Sequence, residues 1–413
     1  MPTLIKPLRG LRPAPGRAAE VIAPPYDVLS SAEARERARG RPESFLHISK
    51  AEIDLPADLD PHDPRVYAQA ATTFGHMIDR GVLIRDAAPG YYVYRLQMGG
   101  HRQTGIVCTG SVAAYDDNRI RKHEFTRPDK EDDRVRQILA LRAQTGPVLL
   151  AYRSHDTVRG LLDGVARGQP LCDVTADDGI VHTLWQAGDP EVIAALTREF
   201  DDMNALYIAD GHHRSAAAAR VAAMLRENAP QPTGEEAHEY FLCVAFPHDE
   251  MRILDYNRVV KDLAGLSPQG FLARVGERFA IEEAGGQAQP RNPGEFGMFM
   301  QGRWRRLSIR PQLVPSDPVG RLDVSLLQEH LLGPLLAISD PRTDKRIDFV
   351  GGMRGLGELE KRVASGEMAV AFALYPTRMD ALMAVADANR VMPPKSTWFE
   401  PKLADGMVSH LLD

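Results

Sequence analysis

The chain has 413 residues, of which 44% are apolar and 26% are charged, a balance typical of folded globular proteins and not of disordered ones. The formal net charge is -6, so the chain lacks the overall positive charge that draws proteins to nucleic acids or anionic membranes. These values favour a small-molecule ligand with no nucleic-acid or membrane partner, and they are compatible with a homo-oligomer.

Cysteine usage and hydropathy point to a reducing, aqueous compartment. The three cysteines, Cys108, Cys172 and Cys243, are far apart in the sequence, so neither a disulfide framework nor a cysteine-based zinc site is predicted. No stretch approaches the ~18 uninterrupted apolar residues that span a bilayer, and the basic start of the chain lacks the apolar core of a signal peptide. We therefore expect a cytoplasmic protein.

The first third of the chain predicts a shaped loop, a helix and a hairpin. Two successive prolines in residues 23–28 (APPYDV) impose an extended approach and a defined turn. Asp63 and Pro64 are typical of a helix start, and apolar residues recur at helical spacing after them. The β-rich runs 91–98 and 104–115, separated by a glycine pair, indicate a hairpin.

The middle of the chain changes from a charged loop to a strand and a helix. Residues 119–136 crowd titratable side chains into a loop that continues into a helix. Residues 205–209 are predicted to form a buried strand, and an alanine-rich helix is expected to begin near Arg214. The turn between that strand and that helix is therefore very short.

The last third alternates helices and strands, and Asp323 and Thr377 are expected to cap two of the helices. The glycine- and proline-rich stretch 285–297 is predicted to be a surface loop or a seam between domains. We therefore expect a main α/β region, residues 1–284, and a C-terminal α/β region, residues 298–413, that packs on the first. The interleaving predicts an α/β or α+β fold with a mixed sheet and packed helices.

The strongest chemical signal is the run Asp210-Gly211-His212-His213-Arg214, where a strand stops at a glycine and leads into a helix. The unpaired N–H groups and the dipole at a helix start favour phosphate, and Gly211 allows its close approach. Arg214 adds a permanent charge with a bidentate fork. We predict that Gly211, His212, His213 and Arg214 bind a phosphate or a nucleotide.

Asp210 ends the predicted strand, where its carboxylate can hold a magnesium ion or a substrate hydroxyl. It is therefore a candidate catalytic and metal-binding residue. A plainer alternative is that Asp210 caps the helix and that His212 and His213 are surface or hydrogen-bonded core residues. A zinc site on both histidines is disfavoured, because adjacent side chains on a helix point about 100° apart.

The charged loop supplies a second group of candidates. His123 and Glu124 are candidates for general acid–base catalysis, and Thr126 is a candidate for substrate binding. For residues 130–133 the alternative is a solvated charged loop without a chemical role.

Two proline-braced segments complete the predicted site. Tyr26 and Asp27 lie in the first segment and are expected to contact the substrate. Lys395, Ser396 and Thr397 lie in the run MPPKSTWFEPK, whose basic and polar groups suit a loop that binds phosphate or carboxylate. The alternative is that this run docks the C-terminus on the core, as aromatic residues near a terminus often do.

The segments APPYDV, KHEFT, IADGHHR and MPPKSTWF together resemble the motif set of the DUF1015 family over nearly the whole chain. The turn 210–214 is also similar to the phosphate-binding turn of the ParB and sulfiredoxin superfamily, whose members include nucleotide hydrolases and a free serine kinase that uses ADP. This second resemblance implies a ParB/sulfiredoxin-like element around the turn, with nucleotide phosphates on residues 211–214 and Asp210 near the metal. The assignment of Glu124 as a base depends on its chemistry and not on a matched position.

These features predict a phosphate-handling enzyme, either a kinase-like phosphotransferase or a phosphatase. It would use ATP or ADP with Mg²⁺ on a small hydroxylated metabolite such as serine or phosphoserine. Two alternatives stay open. A non-catalytic nucleotide-binding switch module would bind a nucleotide without forming a product, and a metal-dependent hydrolase built from His123, Glu124, Asp210 and His212 would require stoichiometric transition metal.

Overall fold

The computed structural model describes residues 3–227 and 233–413, and the chain divides into two compact units. The first unit comprises Met1–Met251 and Pro401–Asp413, and the second comprises Arg252–Glu400. The stretch 285–297, expected to be a loop or a seam, lies inside the second unit. The C-terminal segment belongs to the first unit because its backbone pairs there. Asp405 and Ala23 each donate their backbone N–H to the carbonyl of the other.

The first unit is built around one large sheet. In chain order its strands before the second unit are β1 (Ile5–Lys6), β2 (Leu11–Pro13), β3 (Leu83–Arg85), β4 (Tyr91–Met98), β5 (His101–Ser111), β6 (Ile120–Arg121), β7 (Ala143–Gln144), β8 (Val148–Tyr152), β9 (Cys172–Thr175), β10 (Val181–Ala187), β11 (Leu206–Asp210) and β12 (Tyr240–Pro247). The predicted hairpin is confirmed as β4 and β5, which pair from Met98 and His101 outward.

The large sheet has nine strands in the order β6-β11-β8-β12-β5-β4-β10-β9, with β1 added at β5. Strand β6 runs parallel to β11, and β8 runs parallel to β12, whereas β4, β5 and β10 pair with their neighbours antiparallel. The predicted mixed sheet is therefore confirmed. Strands β8 and β12 are buried along their whole length, as expected for central strands rich in apolar residues and covered on both faces.

The helices of the first unit are α1 (Ala18–Val21), α2 (Ser31–Ala38), α3 (Leu46–Ser49), α4 (Pro64–Asp79), α5 (Val112–Asp116), α6 (Pro128–Leu141), α7 (Asp156–Val165), α8 (Pro190–Asp201) and α9 (His212–Glu227). The predicted helix start at Asp63 is confirmed, because its carboxylate accepts the Arg65 N–H at 2.9 Å. Val135 and Ile138 of α6 pack with Ala217 and Val221 of α9. This apolar contact fixes the start of α9 beside the loop that precedes α6.

The second unit has a separate antiparallel sheet. Its elements are β13 (Arg252–Leu254), β14 (Tyr256–Val260), α10 (Pro268–Gly276), β15 (Phe279–Glu283), β16 (Glu295–Met300), β17 (Arg303–Ile309), α11 (Asp323–Leu327), α12 (Gly333–Leu336), β18 (Ile347–Gly351), α13 (Gly355–Ala364), β19 (Val370–Leu374), α14 (Met379–Asp387) and β20 (Trp398–Glu400). Six strands pair in the order β15-β17-β16-β19-β14-β18. After β20 the chain re-enters the first unit, where β21 (His410–Leu411) pairs with β7.

Two predicted helix caps in the second unit are wrong. Asp323 is itself the first residue of α11, and its carboxylate accepts the Gly294 N–H at 2.8 Å. Thr377 lies one residue before the α14 cap residue and donates its hydroxyl to the Ser396 carbonyl at 2.8 Å. In both cases a partner distant in the sequence competes successfully for a side chain that local sequence assigns to the helix end.

Among the described residues, no helix is long and apolar enough to cross a membrane.

The packing of the large sheet gives a stability prediction at Gly105 of β5. A Cβ atom there would lie 2.5 Å from the Ala245 carbonyl oxygen and 2.7 Å from the Phe246 ring. We expect Gly105→Ala to destabilise the first unit by about 1–3 kcal/mol, because a backbone atom cannot move aside without disturbing the sheet. The measurement is urea unfolding, with Gly100→Ala in the β4–β5 turn as the control, since a Cβ atom there meets nothing within 4 Å. Equal stability of the two variants would contradict this packing.

Candidate functional site

The candidate site is centred on the turn between β11 and α9. Strand β11 ends at Asp210, Gly211 has a φ of +95°, and α9 begins at His212. A Cβ atom at Gly211 would lie 3.0 Å from the Arg214 Nε atom, and residues other than glycine rarely adopt this φ. Glycine is therefore required both for the turn and for the position of the arginine.

Both histidines of the turn hold the preceding charged loop against α9. The His123 N–H donates to His212 Nε2 at 3.4 Å, and the Arg127 N–H donates to His213 Nε2 at 3.0 Å. An imidazole nitrogen accepts a hydrogen bond only when it carries no proton. Both rings are therefore neutral with the proton on Nδ1, and we call this pair of contacts the histidine clamp.

Burial supports the neutral state of the histidine clamp. Desolvation lowers the pKa of His212 well below its ordinary value, with a further lowering from nearby His123. Desolvation also lowers the pKa of the half-buried His213. At neutral pH both rings are therefore acceptors, and the loop that contains residues 123–127 is held at its two ends.

His123 lies in the interior behind the clamp. Only 2% of the residue is exposed, and its ring meets the His212 ring edge to face with centroids 4.5 Å apart. Burial lowers the pKa of His123 to about 4. Its Nδ1 atom is buried and has no hydrogen-bond partner among the described residues. The side chain that sequence pattern assigned to acid–base catalysis is thus a neutral interior group.

Glu124 is the acid–base candidate that solvent reaches. Its side chain is 51% exposed, and its Oε2 atom lies 3.8 Å from His212 Nδ1, the nitrogen that carries the proton. Thr126, two residues later, donates its hydroxyl to Glu131 in the first turn of α6. The carboxylate of Glu124 therefore lies beside the first residue of α9, on a loop that is anchored on both sides of it.

Arg214 and Asp210 form the charged part of the turn. The Arg214 guanidinium donates to the Pro147 carbonyl and lies 3.7 Å from an Asp210 oxygen and 3.9 Å from an Asp27 oxygen. Lys402 donates to the other Asp210 oxygen at 3.1 Å. Burial alone would raise the pKa of Asp210, but the charges of Lys402 and Arg214 outweigh it and lower that pKa below its ordinary value. Asp210 is ionised and holds two cations at the turn.

A small, partly open cavity lies beside Arg214, lined also by Tyr26, Arg134 and Asp405. Its volume is about 30 Å³, enough for water but not for a metabolite. The Arg134 guanidinium lies 3.9 Å from the centre of the Tyr26 ring. Burial raises the pKa of Asp405 to about 7, although nearby Arg214 opposes the rise. The cavity itself is too small for a substrate, and the residues around it support the Arg214 guanidinium.

The structure brings most of the predicted site residues together in the first unit. Tyr26 and Asp27 lie against Arg214, and the loop 123–127 lies against residues 212–213. Lys395, Ser396 and Thr397 belong to the second unit, where the Ser396 hydroxyl donates to Pro393 and the Lys395 carbonyl accepts from Arg258. Their part in the site stays a prediction.

Sequence reasoning did not assign roles to two residues of this cluster, Lys402 and Asp405. Lys402 is the last residue of the run MPPKSTWFEPK, which the sequence marks as a candidate segment. Its ion pair with Asp210 could not be predicted from the sequence. Asp405 stands in an ordinary stretch, LADGM, and no local signal marks it. Both reach the site because the C-terminal segment pairs with Ala23, which lies far before the turn in the chain.

The residues around Asp210 do not fit a bound Mg²⁺. Two cations already neutralise this carboxylate, and Mg²⁺ prefers ionised oxygen ligands whose charge is available. Within the described ranges, no three or more His, Cys, Asp and Glu side chains are grouped so as to hold a metal ion.

The fold and the turn define a mixed α/β protein with a candidate anion-binding site at a helix start. The chain belongs to the family described as "Protein of unknown function (DUF1015)", whose model matches residues 5–325. A search of curated proteins gives no match.

Several solved structures are similar to the chain. A mutant of a free serine kinase in complex with AMP is 13% identical, with a TM-score of 0.36, and the match covers 71% of this chain and 86% of that one. SbnI from Staphylococcus aureus, truncated at its C-terminus, is 9% identical, with a TM-score of 0.39 and coverage of 72% and 85%. A conserved hypothetical protein from Pyrococcus furiosus is 13% identical, with a TM-score of 0.34 and coverage of 73% and 93%.

The buried, neutral His123 predicts a pH dependence of stability. Its pKa is about 4 in the folded state and ~6.5 in the unfolded state. The stability that the neutral ring contributes to the fold is therefore complete above pH ~6.5 and is lost as the pH falls toward 4. We expect His123→Leu to remove this loss, so that the free energy of unfolding of the variant relative to wild type rises by roughly 1–3 kcal/mol from pH 7 to pH 5. Urea unfolding at both pH values measures it, with the exposed His76→Leu as control. A difference that is the same at both pH values would contradict the neutral state of His123.

Proposed function

We propose that the first unit binds the phosphates of ATP or ADP at the start of α9 and transfers a phosphoryl group between the nucleotide and the hydroxyl of a small metabolite. The observation that supports this proposal is the histidine clamp. It holds the solvent-exposed carboxylate of Glu124 beside a helix start that is suited to bind anions. Phosphoryl transfer requires little more than such positioning, together with positive charge for the phosphates.

In this proposal the phosphates are bound mainly by backbone groups. The N–H groups of Gly211, His212 and His213 stand before or within the first turn of α9, where a helix supplies no acceptor of its own. The imidazoles of His212 and His213 already accept hydrogen bonds from the loop. In this proposal the two histidines therefore contribute main-chain donors and no ring contacts. Arg214 and Lys402 add positive charge on the Asp210 side of the turn.

Glu124 is the general base in the proposed reaction. Its carboxylate accepts the proton as the substrate hydroxyl oxygen attacks the terminal phosphorus, and the new P–O bond forms as the bridging P–O bond of the nucleotide breaks. The displaced nucleotide leaves with the electron pair of the broken bond, and in the reverse direction Glu124 returns the proton. His123 positions the loop through its backbone N–H and takes no part in proton transfer.

The proposed substrate is a small hydroxylated metabolite, with serine and phosphoserine as the first pair to test. Tyr26, Asp27 and Thr126 are the substrate contacts proposed in the first unit. No step in this scheme depends on Mg²⁺ at Asp210, because the carboxylate there is neutralised by two side-chain cations.

A non-catalytic nucleotide switch would use the same turn and would make Glu124 dispensable. The position of Glu124 favours the enzyme, because a module that only binds nucleotide has no need for an anchored, exposed carboxylate beside the phosphates. The two functions therefore differ in what the loss of this one carboxylate does.

We expect Arg214→Ala to abolish turnover and to weaken nucleotide binding by at least about tenfold, because a guanidinium opposite phosphate contributes a charge-assisted, bidentate contact. Calorimetric titration with ADP and ATP measures the affinity. Arg220→Ala is the matched control, since Arg220 lies on the same helix and pairs with Glu131 and Asp132 at the surface. Thermal unfolding of both variants separates loss of binding from loss of fold. Full activity of a folded Arg214→Ala protein would end the proposal.

We expect Glu124→Gln to lower kcat by about 10²–10⁴-fold while changing nucleotide affinity by less than about threefold, because it removes the proton acceptor and keeps the shape. The measurement is phosphoryl transfer from ATP or ADP to serine, and from phosphoserine to nucleotide. Glu227→Gln, at the exposed far end of α9, is the control and should retain wild-type kcat. Unchanged turnover in Glu124→Gln would exclude this base, and nucleotide binding without product in the wild type would favour the switch.

A further inference from the structure

Asp405 is a buried acidic residue of the first unit to which the proposed reaction gives no role. Only 2% of the residue is exposed, and it lines the small cavity beside Arg214 together with that arginine and Arg134. A Cβ atom at Gly146, another residue of the cavity wall, would lie 3.6 Å from the Asp405 Oδ1 atom and 3.4 Å from the Arg214 Cδ atom. The carboxyl group and the arginine side chain therefore meet at the same part of the wall.

Charged groups from three parts of the first unit face this carboxyl group. They are Arg214 of α9, Arg134 of α6, and Asp27 with the donating backbone N–H of Tyr26 in the segment before α2. In the described part of the chain, neither guanidinium forms a direct ion pair with Asp405. Arg134 pairs instead with Asp133 at 2.6 Å, and Arg214 lies 3.9 Å from Asp27. The carboxyl group thus faces two cations without the direct contact that would offset its burial.

The charges around the cavity balance only when Asp405 is neutral. Three cations are matched by three carboxylates: Arg134 by Asp133, Arg214 by Asp27, and Lys402 by Asp210. An ionised Asp405 would add a fourth negative charge in the interior, where an uncompensated charge is costly. In agreement with this balance, burial raises the pKa of Asp405 to about 7, although Arg214 opposes the rise.

A phosphate at the start of α9 would shift this balance further. It brings negative charge to the side of Arg214, and a like charge near a carboxyl group favours the protonated form of that group. A ligand that binds more tightly to the protonated form causes proton uptake when it binds. The cavity has room for water, which can carry the proton to Asp405.

We propose that Asp405 is a positioning residue for phosphate binding, which leaves the charge of Arg214 available to the nucleotide when it is neutral and withdraws that charge when it is ionised. Nucleotide binding is then coupled to uptake of a proton at Asp405, and the affinity falls as the pH rises. This inference rests on the proposed nucleotide site at the start of α9. The histidine clamp does not produce the same effect, because burial lowers the pKa of both its rings and they stay neutral above pH 7.

The first test measures proton uptake. The full chain is titrated calorimetrically with ADP at pH 7.5, where the phosphates of ADP are almost fully ionised, in two buffers of different ionisation enthalpy, MOPS and Tris. We expect the wild type to take up about half a proton. Asp405→Asn should take up none, because the amide keeps an acceptor oxygen for the Tyr26 N–H but does not ionise. Absence of uptake by the wild type would overturn the inference without reference to any variant.

The second test compares the pH dependence of ADP affinity. From pH 6.5 to pH 8.5 the affinity of the wild type should fall about three- to tenfold more than that of Asp405→Asn. Asp249→Asn is the matched control and should keep the pH dependence of the wild type, since Asp249 pairs with Arg159 at the surface of the first unit. A purely structural role of Asp405 would change the affinity at every pH alike. Urea unfolding confirms that both variants are folded.

The outcomes separate this inference from the proposed function. If ADP binds to the wild type and to Asp405→Asn with the same pH dependence, the role of Asp405 is overturned and the nucleotide site stands. If ADP does not bind to the wild type at all, the proposed function and the inference fail together.

Discussion

The candidate site depends on two neutral imidazoles that accept backbone hydrogen bonds. His212 and His213 occupy the first turn of α9, and each binds an N–H group of the loop that carries Glu124. Protonation of either ring would replace an acceptor with a donor and break the contact. Burial of both rings lowers their pKa and keeps them neutral. The loop, the carboxylate on it and the helix start are thereby fixed relative to one another.

On the charged side of the turn, ion pairs with carboxylates offset the cost of burying Arg214. Arg214 is buried to about nine-tenths of its side chain, where an unpaired guanidinium would be costly. Two carboxylates and a backbone carbonyl surround it, and Lys402 shares one of those carboxylates. This arrangement explains why Asp210 is better understood as a partner for side-chain cations than as a metal ligand.

Local patterns in the sequence predicted much of the first unit, and contacts between distant segments explain the rest. The β11–α9 turn, the hairpin and the α4 start follow from glycine, β-rich and capping signals that act over a few residues. The histidine clamp was not predictable, because it requires knowing that loop 123–127 meets α9. The same reason applies to Asp405, and to Asp323 and Thr377, whose partners are distant in the chain.

In the proposed function, the start of α9 binds nucleotide phosphate while the histidine clamp stays closed. The most direct measurement is a crystal structure of the protein grown with ADP. We expect the terminal phosphate within about 3 Å of the main-chain N–H groups of His212 and His213, with both imidazoles still accepting from the loop. A nucleotide bound elsewhere, or a phosphate held by the imidazole rings with the loop displaced, would contradict it.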